Sequence, residues 1–281
     1  MLRGLQTILH DIGDARRRID DEDYEGALPI LARVVAFAPE QLSVPAYHLW
    51  ALCHVRLGRM ERALQIADEG LARGILPGQL GMIRAEALSA LERFDEAAAA
   101  AEAAYALDPA SPERLGLRAV IEIDRGRFDA ALELLLEGRR RHPDDAGIHA
   151  ALIEVAEELK RPSLVIETAR DFLRKFGKDA EVLSALGQAY VDTRDDRRAD
   201  RAFRDAAQLD PGNVRHHMSV LSIAVLTKND AAYVAYLDRL RQRDPELAER
   251  ARRGLDDVMA RVAGAETRRK RDRARRRPGP R

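Results

Sequence analysis

Residues 180–211 read AEVLSALGQAYVDTRDDRRADRAFRDAAQLDP. Leu183, Leu186, Gly187 and Tyr190 fall at i, i+3, i+4 and i+7, which is one face of a helix. The polar run Asp192 to Asp196 interrupts that face, and Ala199, Phe203, Ala206 and Ala207 restart it with the same spacing. Asp210-Pro211 closes the stretch, because proline disfavours a helical predecessor and lacks the donor needed to continue the ladder. The stretch is therefore two helices joined by a short turn.

The same pattern recurs along the chain. A small or apolar residue stands at Ala63, Ala97, Ala131, Val165, Ala199 and Tyr233, and another at Ala51, Ala85, Ala119, Ile153, Gly187 and Leu221. Helix-stopping residues stand at Pro109, Pro143, Gly177, Pro211 and Pro245. All three ladders advance by 34 residues, and Met60, Phe94 and Phe128 precede the first ladder by three. An earlier unit centred on Ala27 extends the series, so that seven helix pairs cover roughly residues 8–247. Ser111-Pro112-Glu113 is a helix start: a hydroxyl cap, proline at the first position and a carboxylate near the positive helix end. No segment alternates with period two, so no sheet is expected.

These residues resemble the tetratricopeptide repeat family. The best unit matches its pattern at Leu183, Leu186, Gly187, Tyr190, Ala199, Phe203, Ala206 and Pro211. The resemblance implies an all-α, right-handed solenoid of antiparallel helix pairs over residues 1–247. Residues 245–263 are expected to be an amphipathic capping helix, with Leu247, Ala251, Leu255, Val258, Met259 and Val262 on one stripe. Departures from the pattern are Arg84, Arg118 and Glu122 at normally apolar places, which predict looser packing in the third and fourth units. Pro29 inside a helix and the missing proline after the second unit leave the boundaries near residues 40–45 and 73–80 less sharply marked.

Composition narrows the function. The chain has 281 residues, 46% hydrophobic and 33% charged, and its formal net charge is zero. That zero conceals a split. Residues 265–281 contain nine of the 47 basic residues and two of the 47 acidic ones, leaving 38 basic against 45 acidic residues elsewhere. An acidic body thus carries a basic tail, expected to be disordered, with Arg268, Arg269, Lys270, Arg271, Arg273, Arg275, Arg276 and Arg277 as its charged face. Such a tail serves solubility, binds nucleic acid without sequence preference, or competes for the protein's own acidic surface near Glu181 and Asp192. It holds no aromatic residue for stacking on bases. The single cysteine, Cys53, excludes an intramolecular disulfide, and no apolar run reaches the roughly 18 residues of a membrane span. A cytoplasmic protein is expected.

Chemistry-bearing motifs are scarce. There is no phosphate-binding loop, dinucleotide fingerprint, zinc-protease motif or nucleophile elbow. Cys53-His54 with His48, and His216-His217, read as packing residues rather than as metal ligands or a nucleophile pair, since neighbours on a helix point about 100° apart. No catalytic residue, metal or cofactor is expected. The resemblance instead implies a peptide-binding groove lined by the first helix of each unit. Carried over by position, it holds Met82, Glu86, Asp124, Glu154, Glu157, Glu158, Glu181, Gln188, Asp192 and Met218, with Glu113 also acidic and only Arg215 basic. The Lys/Arg/Asn set with which some family members hold a carboxylate is missing. The expected function is a non-enzymatic scaffold or adaptor docking a basic or amphipathic protein segment; the alternative is a nucleic-acid-associated factor acting through the tail.

Overall fold

The computed structural model describes the backbone of residues 2–38 and 40–275 and the side chains of residues 6–38 and 44–261. Among the described residues there are fifteen helices and no strand. Taken two by two in chain order, the first fourteen are α1 (Leu2–Asp20) and α2 (Tyr24–Phe37), α3 (Glu40–Arg56) and α4 (Met60–Ala72), α5 (Pro77–Ala90) and α6 (Phe94–Leu107), α7 (Pro112–Asp124) and α8 (Phe128–Arg141), α9 (Ala146–Glu158) and α10 (Pro162–Phe176), α11 (Ala180–Asp192) and α12 (Asp196–Leu209), and α13 (Val214–Leu226) and α14 (Asp230–Arg243); neighbours in the chain pack on one another from α1 to α8 and from α10 to α14. The last helix, α15, runs Pro245–Arg275. The chain divides into two compact units, residues 1–155 and 156–281, and the division falls within α9. Each has the helix-pair architecture of an α-solenoid.

The ladders are the core of both units. Ala27, Ala63, Ala97, Ala131 and Ala199 are fully buried, and so are Ala51, Ala85, Ala119 and Leu221. Small residues at these places let helices approach closely. At Gly138 an added Cβ would lie 2.8 Å from Leu115 and 3.1 Å from Ile148, so a side chain there would force the neighbours apart.

One device turns the chain inside every pair. Glu22, Gly58, Glu92, Gly126, Lys160, Arg194 and Lys228 all adopt left-handed backbone, with φ between 54° and 70°. The residue after each donates its N–H six residues' span back, as in Arg59 to the His54 carbonyl (2.8 Å) and Asn229 to the Ala224 carbonyl (2.8 Å). This is the Schellman closure, which satisfies orphan carbonyls at a helix end. Glycine suits it, yet five of the seven positions hold Glu, Lys or Arg. The helices that begin after the proline or glycine ladder are capped from the side chain. Ser111, Asp145, Asp179 and Asn213 accept from Arg114, Ile148, Val182 and Arg215 N–H groups.

The polar departures are absorbed differently at each place. Arg84 Nε pairs with Asp68 at 2.7 Å, and one repeat later Arg118 pairs with Glu102 at 2.5 Å while its guanidinium lies 4.5 Å from the Tyr105 ring centre. Arg118 and Glu122 form part of a cleft of about 430 Å³ between α6, α7 and α8, so the fourth pair does leave open space. Pro29 and Pro45 lie inside helices α2 and α3.

Leu247, Ala248, Ala251 and Leu255 of α15 bury in one cluster with Leu221, Leu237 and Leu240 of α13 and α14. Val258 and Met259, assigned to the same stripe, are exposed. The helical backbone continues without a break beyond residue 263, where the cap was expected to end and a disordered tail to begin. The tail side chains from Arg268 onward lie outside the described residues.

Two glycine substitutions in α7 and its turn should have opposite signs. Nothing lies within 4 Å of a Cβ built at Gly116 or at Gly126. Gly116→Ala should stabilise by about 0.5–1 kcal/mol, because alanine is the better residue in a helix interior. Gly126→Ala should destabilise by about 1–2 kcal/mol, because only the left-handed backbone opposes it. Urea unfolding of the two variants checks the contrast.

Candidate functional site: the faces of the first helices

The residues assigned to the groove are distributed over both units. In residues 1–155, Met82 is half-buried and Glu86 exposed on α5, Asp124 ends α7, and Glu154 is exposed on α9. Asp124 accepts from the Ser89 hydroxyl at 2.6 Å, which ties α7 to α5 on this face. In residues 156–281, Glu158 is exposed and Glu157 half-buried at the end of α9. Gln188 donates to Asp192 at 3.0 Å on α11. Glu157, Gln188 and Asp192 share a cleft of about 280 Å³ with Ala156, Val165 and Ala189, and Lys160 and Arg161 also border it. The carboxylate of Glu181 is exposed and lies 3.6 Å from the buried His216.

Met218 of α13 is half-buried, like Met82, and packs beside the cluster beneath α15, its sulfur 2.7 Å from where a Cβ on Gly254 would stand.

Among the described residues some carboxylates of the first helices lack a cation, as do Glu61, Glu133 and Asp205 on the second helices. On the remaining surface many carboxylates are neutralised by arginine, as in Asp95 with Arg125 at 2.7 Å, Glu137 with Arg141 at 2.6 Å and Asp68 with Arg84. Among the described residues Glu86, Glu154 and Glu158 have no such cation. They leave the first-helix faces with negative charge that the protein itself does not neutralise.

The histidines and the cysteine are packing residues. Cys53, His54, His149, His216 and His217 are buried. Burial pushes the Cys53 thiol up from the ordinary 9.0 to about 11, the opposite of what an activated nucleophile needs. His217 is held at both nitrogens. Nε2 donates to the Pro211 carbonyl at 3.0 Å, which leaves Nδ1 to accept from the Tyr236 hydroxyl at 2.7 Å. Among the described residues no group of three or more His, Cys, Asp or Glu is placed to hold a metal ion.

Family models described as tetratricopeptide repeat match residues 88–153 and residues 180–213. The chain belongs to the tetratricopeptide repeat family. Its fold is shared with solved tetratricopeptide repeat structures. A tetratricopeptide repeat protein from Parabacteroides merdae superposes with a TM-score of 0.62 at 12% identity, covering 88% of this chain and 99% of that one. The pilF protein of Pseudomonas aeruginosa gives 0.61 at 18% identity, covering 78% and 97%. YrrB, described as a TPR protein with an unusual peptide-binding site, gives 0.51 at 17% identity, covering 62% and 91%. No curated protein matches the sequence. Tetratricopeptide repeat folds are typically non-enzymatic scaffolds for protein interaction. No helix among the described residues is long and apolar enough to cross a membrane.

The Cys53 assignment has a pH consequence. A thiol that titrates near 9.0 when unfolded and near 11 when folded contributes stability that is fully present below pH 9 and lost as pH rises through about 11. In the native protein at pH 8, iodoacetamide should label Cys53 far more slowly than in 8 M urea, a condition chosen to unfold the chain. Fast native labelling, read by mass spectrometry, would contradict the buried assignment.

Proposed function

We propose that this tetratricopeptide repeat protein is a non-enzymatic adaptor that docks a basic, amphipathic segment of a partner protein on the acidic faces of its first helices. The observation that carries the reading is that Glu86, Glu154 and Glu158 are exposed at matched places on first helices and, among the described residues, have no cation paired to them. Asp124, Glu181 and Asp192 add to that charge on the same set of helices. The half-buried Met82 supplies apolar contact beside the carboxylates. Charge complementarity then selects the partner and steers its approach, while apolar burial contributes most of the affinity. The peptide-binding description of YrrB is in keeping with this use of the fold.

The test is a labelled, Lys-rich amphipathic peptide titrated against the full chain. Glu154→Lys combined with Glu158→Lys should weaken binding by about fivefold or more, since each exposed ion pair is worth about 0–1 kcal/mol and reversal adds repulsion. The loss should shrink as salt rises. Deleting residues 265–281 tests the tail separately. Tighter peptide binding after deletion would mean that the tail competes for the acidic faces. Peptide affinity that is insensitive both to the two reversals and to salt would overturn the adaptor reading.

A further inference from the structure

The first-helix faces are acidic, but residues 156–281 also contain a basic cleft on another part of the repeat. Arg204 and Gln208 of α12 and Arg239 and Arg243 of α14 border a cavity of about 230 Å³. Ala207, Tyr236 and Leu240 give it an apolar wall, and no carboxylate lines it. We propose that this cleft binds an acidic peptide segment of a partner protein, seating a carboxylate between the arginines and an apolar side chain against the Tyr236 ring.

The state of each arginine supports a ligand of this charge. Arg204 directs Nε at the Asp200 carboxylate, 2.8 and 2.9 Å from its two oxygens, and its guanidinium lies 5.4 Å from the Tyr236 ring centre. Both of its terminal nitrogens remain for another acceptor. Arg239 uses Nε on the Ala235 carbonyl at 3.0 Å, which likewise leaves its terminal nitrogens. Among the described residues Arg243 has no partner, whereas Arg241 in the same last turn is paired with Asp238. All three cleft arginines act on the Tyr236 phenol. Burial raises its pKa; Arg204, Arg239 and Arg243 oppose that rise, and Asp200, the partner of Arg204, adds to it. The phenol is itself occupied as a donor to His217, so the floor offers a ring face and no competing hydrogen bond.

An internal comparison shows that the charge is not a property of the repeat. Three repeats earlier, Glu102 and Glu137 occupy the register of Arg204 and Arg239, and they line the 430 Å³ cleft of residues 1–155. The two clefts occupy one architectural slot with opposite charge. In the acidic cleft Glu102 pairs with Arg118 and Glu137 with Arg141, while Glu133 has no cation among the described residues. In the basic cleft only Arg204 is answered.

A carboxylate on an apolar stem suits this cleft better than a bare phosphate. The lining residues of α12 and α14 lie within helices, where backbone N–H groups are already committed to the helical ladder. The donors are therefore side chains, and guanidinium forks match the planar carboxylate. The apolar wall would be left unused by inorganic phosphate.

The experiment uses the full chain and a short labelled peptide rich in Glu with a single Phe, followed by fluorescence anisotropy. Arg239→Glu combined with Arg243→Glu should weaken binding by about tenfold or more. Arg250→Glu combined with Arg261→Glu changes the net charge equally at exposed places that do not line the cleft, and should stay within about twofold of the parent. Arg239→Gln with Arg243→Gln should fall between. Far-ultraviolet circular dichroism confirms that each variant keeps its helices. Equal weakening by the cleft and control pairs, or none by either, would overturn the proposal. So would displacement of the peptide by inorganic phosphate at the concentration of the peptide. The inference does not rest on the acidic-face reading. Binding of the Lys-rich peptide should not be weakened by the cleft variants, so the two readings fail separately.

Discussion

Two ladders of small side chains, one on each helix of a pair, set the distance at which helices can pack, and the rest of the architecture follows. A helix pair has more apolar surface than it can bury on itself, so it needs a neighbour on each side. Burial of Ala63, Ala97, Ala131 and Ala199 at one ladder, and of Ala51, Ala85 and Ala119 at the other, marks where that closeness is demanded. The same demand explains α15, whose Leu247, Ala251 and Leu255 bury in one cluster with residues of α13 and α14.

Most of the fold was legible because a 34-residue step exposes packing demands directly. Pro109, Pro143, Pro211 and Pro245 fall in or at the edges of the breaks between helices, and Ser111 caps the helix it was expected to start. The turns were less legible. Left-handed backbone recurs at each of the seven turns, but glycine marks it only at Gly58 and Gly126. At Glu92, Lys160, Arg194 and Lys228 the hydrogen-bonded closure imposes the conformation on residues that do not favour it. Register, rather than residue type, was the available signal. Arg84 and Arg118 looked like packing faults because their partners, Asp68 and Glu102, stand sixteen residues upstream on the previous helix. A search for opposite charges repeating with the same step would have found them.

The two proposed docking surfaces divide along the same line. Exposed carboxylates on the first helices were visible as a composition bias at matched positions, yet their lack of a cation is a structural fact about Glu86, Glu154 and Glu158. The basic cleft was not visible at all, since Arg204, Arg239 and Arg243 come from two helices and look like ordinary exposed charges in sequence. Solenoids conserve the backbone slot while leaving its lining free to change sign. A chain of this kind can thereby present separate acidic and basic docking surfaces without altering its core.

The central claim is that the buried ladders hold the array together through nearest neighbours. Hydrogen exchange of Ala97→Leu, compared with the parent, tests it most directly. Overpacking at a fully buried alanine should cost about 1–3 kcal/mol. The account predicts that protection falls most in α5, α6 and α7 and much less in α1 and α2. Loss of protection of equal size in α1, α2 and α5 to α7, or none anywhere, would contradict it.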